Sequence, residues 1–165
     1  MDRQPPPTVS SLDLTCYLGT WYEIARLPMR HEPADYTDIT ASYTLEPDGA
    51  IRVDNRARNG EGELEESVGE AKVLDPSRPG RLQVSFLPEG LRWIPFTKGD
   101  YWILRVDEDY RTALVGSPDF EYLWLLHRDP ELNADTRETF LQYAQSLGYR
   151  LDDLIHTPHT GRRTG

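Results

Sequence analysis

Gly19-Thr20-Trp21-Tyr22-Glu23-Ile24-Ala25-Arg26 opens the folded part of the chain with a glycine, a tryptophan and then a strand-like run. Further short runs come after it, each bounded by turn signals. The pattern predicts strands near 20–28, 38–46, 50–58, 66–74, 81–87, 100–107, 110–117 and 121–128, a series that favours a sandwich or barrel. Glu46-Pro47-Asp48-Gly49 reads as a tight turn, because proline presets φ and glycine accepts the last turn position. Asp75 to Gly80 and Asp107-Glu108-Asp109 are two more compact connections. The links Pro28 to Thr37, Asn59 to Glu65 and Leu87 to Gly99 are longer. In an up-and-down meander alternate links share an end. The short turns therefore close one end, and the longer links, with 117–121, surround the other.

The faces of these strands differ along the chain. In the second to fifth strands polar positions (Thr40, Ser42, Thr44; Arg52, Asp54, Arg56) alternate with apolar or small ones, so one face is wet and one buried. In the last three strands both faces are apolar. Tyr101, Ile103, Ala113, Val115, Tyr122, Trp124 and Leu126 form one set; Trp102, Leu104, Leu114, Leu123 and Leu125 form the other. A helix is predicted at about 134–147, with Asn133 as N-cap, Gly148 as its stop and Phe140, Leu141, Ala144 and Leu147 as an apolar stripe. The second strand set is the natural landing surface for that stripe.

Composition narrows the function. The chain has 165 residues, enough for one domain with a sizeable core. No apolar run approaches the ~20 residues of a membrane-spanning helix. The net charge of -10, without a Lys/Arg cluster, argues against nucleic acid and against docking on anionic lipid. A single cysteine, Cys16, excludes an internal disulfide and a cysteine metal site. It reads as a small residue before the first strand, with a reactive thiol as the alternative. Residues 1–11, containing Pro5-Pro6-Pro7, read as an extended arm, 12–155 as the domain, and 156–165 as a flexible tail. His156 and His159 then belong to a solvated tail, and no metal or cofactor is expected. No basic start followed by an apolar core is visible, so no signal peptide is read, and the chain as written is expected in the cytoplasm.

Gly19-x-Trp21, the Asp109-Tyr110 turn, and Arg128 ending Leu123-Trp124-Leu125-Leu126-His127, with a helix after it, together resemble the lipocalin signature. The opening stretch is most similar to the bacterial outer-membrane lipocalin and apolipoprotein D group. The resemblance implies an all-β fold: an eight-stranded antiparallel up-and-down barrel with one C-terminal α-helix packed outside. Such a barrel encloses side chains or one small ligand. It further implies that Trp21 plugs the closed end under Arg128, with Gly19, Asp109 and Tyr110 also structural, and it points to the periplasm or outer membrane. The implied activity is that of a non-enzymatic carrier of a fatty acid, lysophospholipid or similar small amphiphile.

Parity along the strands predicts the lumen lining: Leu27, Ile39, Ala41, Tyr43, Val53, Asn55, Ala57, Gly69, Ala71, Val84, Phe86, Tyr101, Ile103, Val115, Tyr122 and Trp124. The same parity turns Glu23 and Arg105 inward, where they are expected to form an ion pair, Arg105 otherwise meeting a ligand carboxylate or turning outward at a β-bulge. Rim residues Met29, Arg30, His31, Tyr36, Leu91, Arg92, Trp93, Ile94 and Phe96 suit either an amphiphile's head group or a weak homodimer contact. Two alternatives to the lipid carrier stay open: a tetrapyrrole held by packing, and an interaction protein with a filled barrel. For an enzyme, Cys16 stands outside the barrel, and no Ser-His-Asp set, phosphate loop or carboxylate pair stands out.

Overall fold

The computed structural model describes residues 4–28, 36–86 and 98–160, without the side chains of Phe86 and Lys98. Eight strands close into one antiparallel barrel: β1 Gly19–Arg26, β2 Thr37–Leu45, β3 Ile51–Arg58, β4 Leu64–Val73, β5 Arg81–Phe86, β6 Lys98–Val106, β7 Thr112–Gly116 and β8 Leu123–His127. Each pairs with its sequence neighbour, and β1 pairs with both β2 and β8, which completes the ring. Short turns at 46–50, 74–80 and 107–111 lie at the end where β1 begins, so that end is the closed one.

That end is sealed by a plug. A one-turn helix, α1 (Leu14–Tyr17), capped by the Asp13 carboxylate, crosses below β1. Fully buried Trp21 donates its indole N–H to the Tyr17 carbonyl at 2.9 Å. The Arg128 guanidinium lies 3.7 Å from the indole centroid, a cation–π contact. Its N–H groups donate to the carbonyls of Tyr110 (2.9 Å), Thr20 (3.0 Å) and Cys16 (2.7 Å). Gly19 is needed for this approach: its φ is +103°, and a Cβ there would meet Arg128 Nη1 at 3.3 Å. Tyr110 lends its hydroxyl to the Asp13 N–H. The structural role expected of Asp109 falls instead to Asp107, whose carboxylate accepts from the Arg111 and Thr112 amides; Asp109 itself is exposed at the turn. The N-terminal arm packs over this end, with Pro6 buried and Val9 N–H bonded to the Ile103 carbonyl.

Helix α2 (Ala134–Leu147) carries its Asn133 cap and left-handed Gly148 stop as expected. Phe140, Leu141 and Ala144 pack on Leu104, Leu114, Leu123 and Leu125 outside the barrel. Two bulges alter the expected parity. Ile24 is the extra residue of β1 against β8, so Ala25 faces Leu125 and Leu27 joins the cluster under the helix; Leu27 does not line the lumen. Leu104 is the extra residue of β6 against β7, which turns Arg105 outward to rest near the rings of Phe140 (5.1 Å) and Tyr143 (5.2 Å). The expected Glu23–Arg105 pair and any lumen role for Arg105 are thereby excluded.

Residues 156–160, expected as loose tail, instead complete the wall. Beyond Tyr22 and Thr40, β1 and β2 no longer pair. A short strand, β9 (Ile155–His156), pairs with Ala25 and Arg26. The segment after it then bridges the gap: Thr157 N–H donates to the Ile24 carbonyl, and the Pro158 carbonyl accepts from the Asp38 N–H.

Truncating the plug tests its role. Trp21→Ala is expected to cost about 3–5 kcal/mol in denaturant unfolding, as for other buried aromatics. Arg128→Ala is expected to destabilise as well, and in neither variant should the rank order of ligands change. A loss of binding with unaltered melting would contradict the assignment.

Candidate functional site

The barrel lumen is the candidate site. Ala41, Tyr43, Val53, Ala71, Val84, Ile103 and Val115 belong to its buried cluster, with Tyr101 and Trp124 packed against it. Ile39 and Ala57 form a separate buried group with Tyr36 toward the open end, where Tyr36 donates to Glu65. By register, Asn55 faces in between Ala41 and Ser67, and Gly69 faces in beside Val53. Tyr122 precedes β8, and its ring stacks on Trp124 at 6.1 Å. Rim positions Met29, Arg30, His31, Leu91, Arg92, Trp93, Ile94 and Phe96, and the side chain of Phe86, lie outside the described residues.

Three tyrosines span the lower lumen. Tyr17 and Tyr101 hydroxyls are 2.6 Å apart, and those of Tyr101 and Tyr43 are 2.8 Å apart. Burial pushes all three phenols above their usual range, so they stay protonated at neutral pH. A small apolar cavity of about 10 Å³ lies among Leu12, Leu14, Leu18, Ile51, Leu82 and these rings. It has room for about one water, far too little for a ligand, so it belongs to the floor.

A buried ionic group stands higher on the wall. Because of the Ile24 bulge, Arg26 faces in opposite Trp124, and Glu23 faces in opposite Leu126. Arg26 Nη1 donates to Glu23 Oε2 at 3.0 Å and to the Thr157 hydroxyl at 3.2 Å. The Thr157 hydroxyl in turn donates to the Glu23 carboxylate at 2.5 Å, and His159 Nε2 donates to the Glu23 carbonyl at 2.7 Å. Burial raises the Glu23 carboxyl above its usual range, and Arg26 and Thr157 pull it only part of the way back. Arg26, Thr157 and fully buried Ser67 are lumen residues that the sequence reading missed. Extending the alternation from Gly69 by two positions gives Ser67. The bulge that hides Arg26 leaves no such trace.

The lipocalin-like domain family model matches residues 12–159. Temperature-induced lipocalin-1 of Arabidopsis thaliana is 39% identical over 162 residues, covering 96% of this chain and 86% of that protein. The outer membrane lipoprotein Blc of Citrobacter freundii is 36% identical over 154 residues, covering 93% and 82%. Among solved structures, the major allergen Per a 4 from cockroaches superposes with a TM-score of 0.69 at 18% identity, covering 96% of each chain. The protein belongs to the lipocalin family, whose members bind small hydrophobic ligands. Blc, by its name, is an outer-membrane lipoprotein; among the described residues of this chain no helix is long and apolar enough to cross a membrane.

Two outcomes test the upper wall. Removing one member of a buried ion pair strands the other, at a cost of about 3–5 kcal/mol. Arg26→Met is therefore expected to destabilise strongly, and adding Glu23→Gln to recover most of that loss in chemical denaturation. The second concerns Asp38. Burial pushes its carboxyl up, but hydrogen bonds from the Thr160 amide (2.7 Å), the Thr160 hydroxyl (2.8 Å) and Thr37 (2.9 Å) outweigh burial and hold it below its usual range. A carboxyl lowered on folding stabilises above its unfolded value and loses that contribution as pH falls through the folded one. Below about pH 4, the amides of Thr157 and Thr160 are expected to lose protection against exchange before those of the barrel. Asp38→Asn should show fast exchange there already at neutral pH.

Proposed function

We propose that the protein is a carrier that holds a fatty acid, lysophospholipid or similar amphiphile in the barrel, tail toward the tyrosine floor and head group at the rim. The observation that carries this reading is the lumen wall. Ala41, Ala57 and Gly69 make the inner face of β2–β4 small, Tyr122 and Trp124 give it an aromatic side, and the base beneath is sealed. A binding role also suits the position of Cys16, which is exposed on α1, outside the barrel.

The energetics agree with this reading. Each methylene taken from water is worth roughly 0.8 kcal/mol, so about a dozen contribute on the order of 10 kcal/mol. Association costs about 4–15 kcal/mol; at the lower end of that cost a dozen methylenes leave about 6 kcal/mol, tens of micromolar, and the roughly sixteen methylenes of an 18-carbon chain bring the balance to about 9 kcal/mol, a micromolar affinity or better. Delipidated protein loaded with a fluorescent fatty acid is expected to release it to long-chain amphiphiles at low-micromolar concentration. Failure of every such amphiphile to displace the fluorophore from folded protein would end the carrier reading.

A further inference from the structure

The lumen wall above the tyrosines carries donors and acceptors that the described residues leave without partners. Ser67 is 1% exposed, faces inward on β4, and its hydroxyl makes no hydrogen bond among the described residues. Its cross-strand partner Asn55 also faces inward and has an amide able to donate and accept. Tyr43 lies diagonally below, since it pairs with Val53, two residues from Asn55 on the same face. The tyrosine chain adds a third group. Three hydroxyls joined by two hydrogen bonds hold three protons, so one O–H remains to donate elsewhere. A buried hydroxyl without a partner raises the free energy of the folded chain. A plain hydrocarbon tail passing this wall would leave that cost in place.

The charge of the site decides what kind of group fits. Among the described residues the inward-facing cation is Arg26, and it is already bound to Glu23 and Thr157. The phenols are held neutral by burial. An anion placed beside Ser67 would lack a counter-charge, which a buried carboxylate requires. A neutral oxygen requires only the donors and acceptors present.

We propose that Ser67 and Asn55, with the tyrosine chain beneath them, form a subsite for an uncharged oxygen on the ligand's hydrocarbon portion, a hydroxyl or keto group, while the charged head stays at the rim. The subsite rests on the carrier reading and narrows it to oxygenated acyl chains. It sits partway down the lumen, so the oxygen is read at a fixed distance from the head group.

The test compares octadecanoic acid with hydroxyoctadecanoic acids carrying the hydroxyl at successive carbons, by displacement of a fluorescent fatty acid from the full chain. One position of the hydroxyl is expected to bind at least about threefold tighter than the plain acid, the scale of one net hydrogen bond. Ser67→Ala, and separately Asn55→Leu, are expected to abolish that preference, so that each variant binds the plain and the hydroxylated acid alike. Equal affinity for plain and hydroxylated chains at every position would overturn the subsite, with Ser67 and Asn55 then served by water, and leave the carrier standing. An equal loss for both ligands in the Ser67→Ala protein would also overturn it, by placing the carboxylate there. Binding of neither ligand to folded wild-type protein would overturn the carrier reading and the subsite together.

Discussion

Arg128 stacks on Trp21 and ties three separate pieces of chain to one guanidinium. Its planar fork reaches the carbonyls of Cys16 and Tyr17 on α1, of Thr20 on β1, and of Tyr110 in the turn before β7. The Tyr17 carbonyl also accepts the Trp21 indole N–H, so the stacked pair shares one acceptor. A lysine, with a single compact ammonium, could not span the same acceptors while lying flat on an indole. The closed end depends on this contact, and with it the orientation of Tyr17, whose hydroxyl begins the chain of phenols forming the floor. Stability at the base and geometry at the ligand level are coupled through that one helical turn.

Alternation was legible wherever a strand ran without interruption. β2 from Thr40 onward, β3 to β5, α2 with both caps, and the apolar surface beneath it can be read from periodicity alone, because one wet face and one buried face leave a period of two. The reading failed where a single residue was inserted. Ile24 and Leu104 are apolar and sit in apolar surroundings, so neither bulge announces itself by a polar residue in a wrong place. Each reverses the parity of the residues after it. Leu27 and Arg105 were therefore placed inside and are outside, and Arg26 is inside in place of Arg105. The prediction of a buried ionic partner for Glu23 was sound on electrostatic grounds; only its identity depended on register. β9 was out of reach for another reason, since two residues are too few to show any period.

The polar groups inside the barrel divide into two kinds. Glu23, Arg26 and Thr157 hydrogen-bond to one another and tie β1 to the segment after β9. Ser67 and Asn55 satisfy nothing among the described residues. The first kind contributes to specificity of the fold, because only the native register brings its members together. The second raises the free energy of the empty protein, which a suitable ligand then lowers.

The bridge made by residues 157–160 has a consequence for how the molecule is made. Thr157 and the Glu23 carboxylate it meets are 134 positions apart in sequence, near the maximum separation this chain offers. A ribosome delivers residues in order, at about 5–20 per second, so β1 emerges many seconds before the segment that covers its upper edge. During that interval the upper half of β1 has unpaired backbone groups along one side and a carboxylate without its threonine. Such an edge invites pairing with other chains, and contacts of this range form slowly even after release. The nascent protein is therefore most exposed to aggregation late in synthesis, when seven strands can already pair and the seam between the first and second is still open.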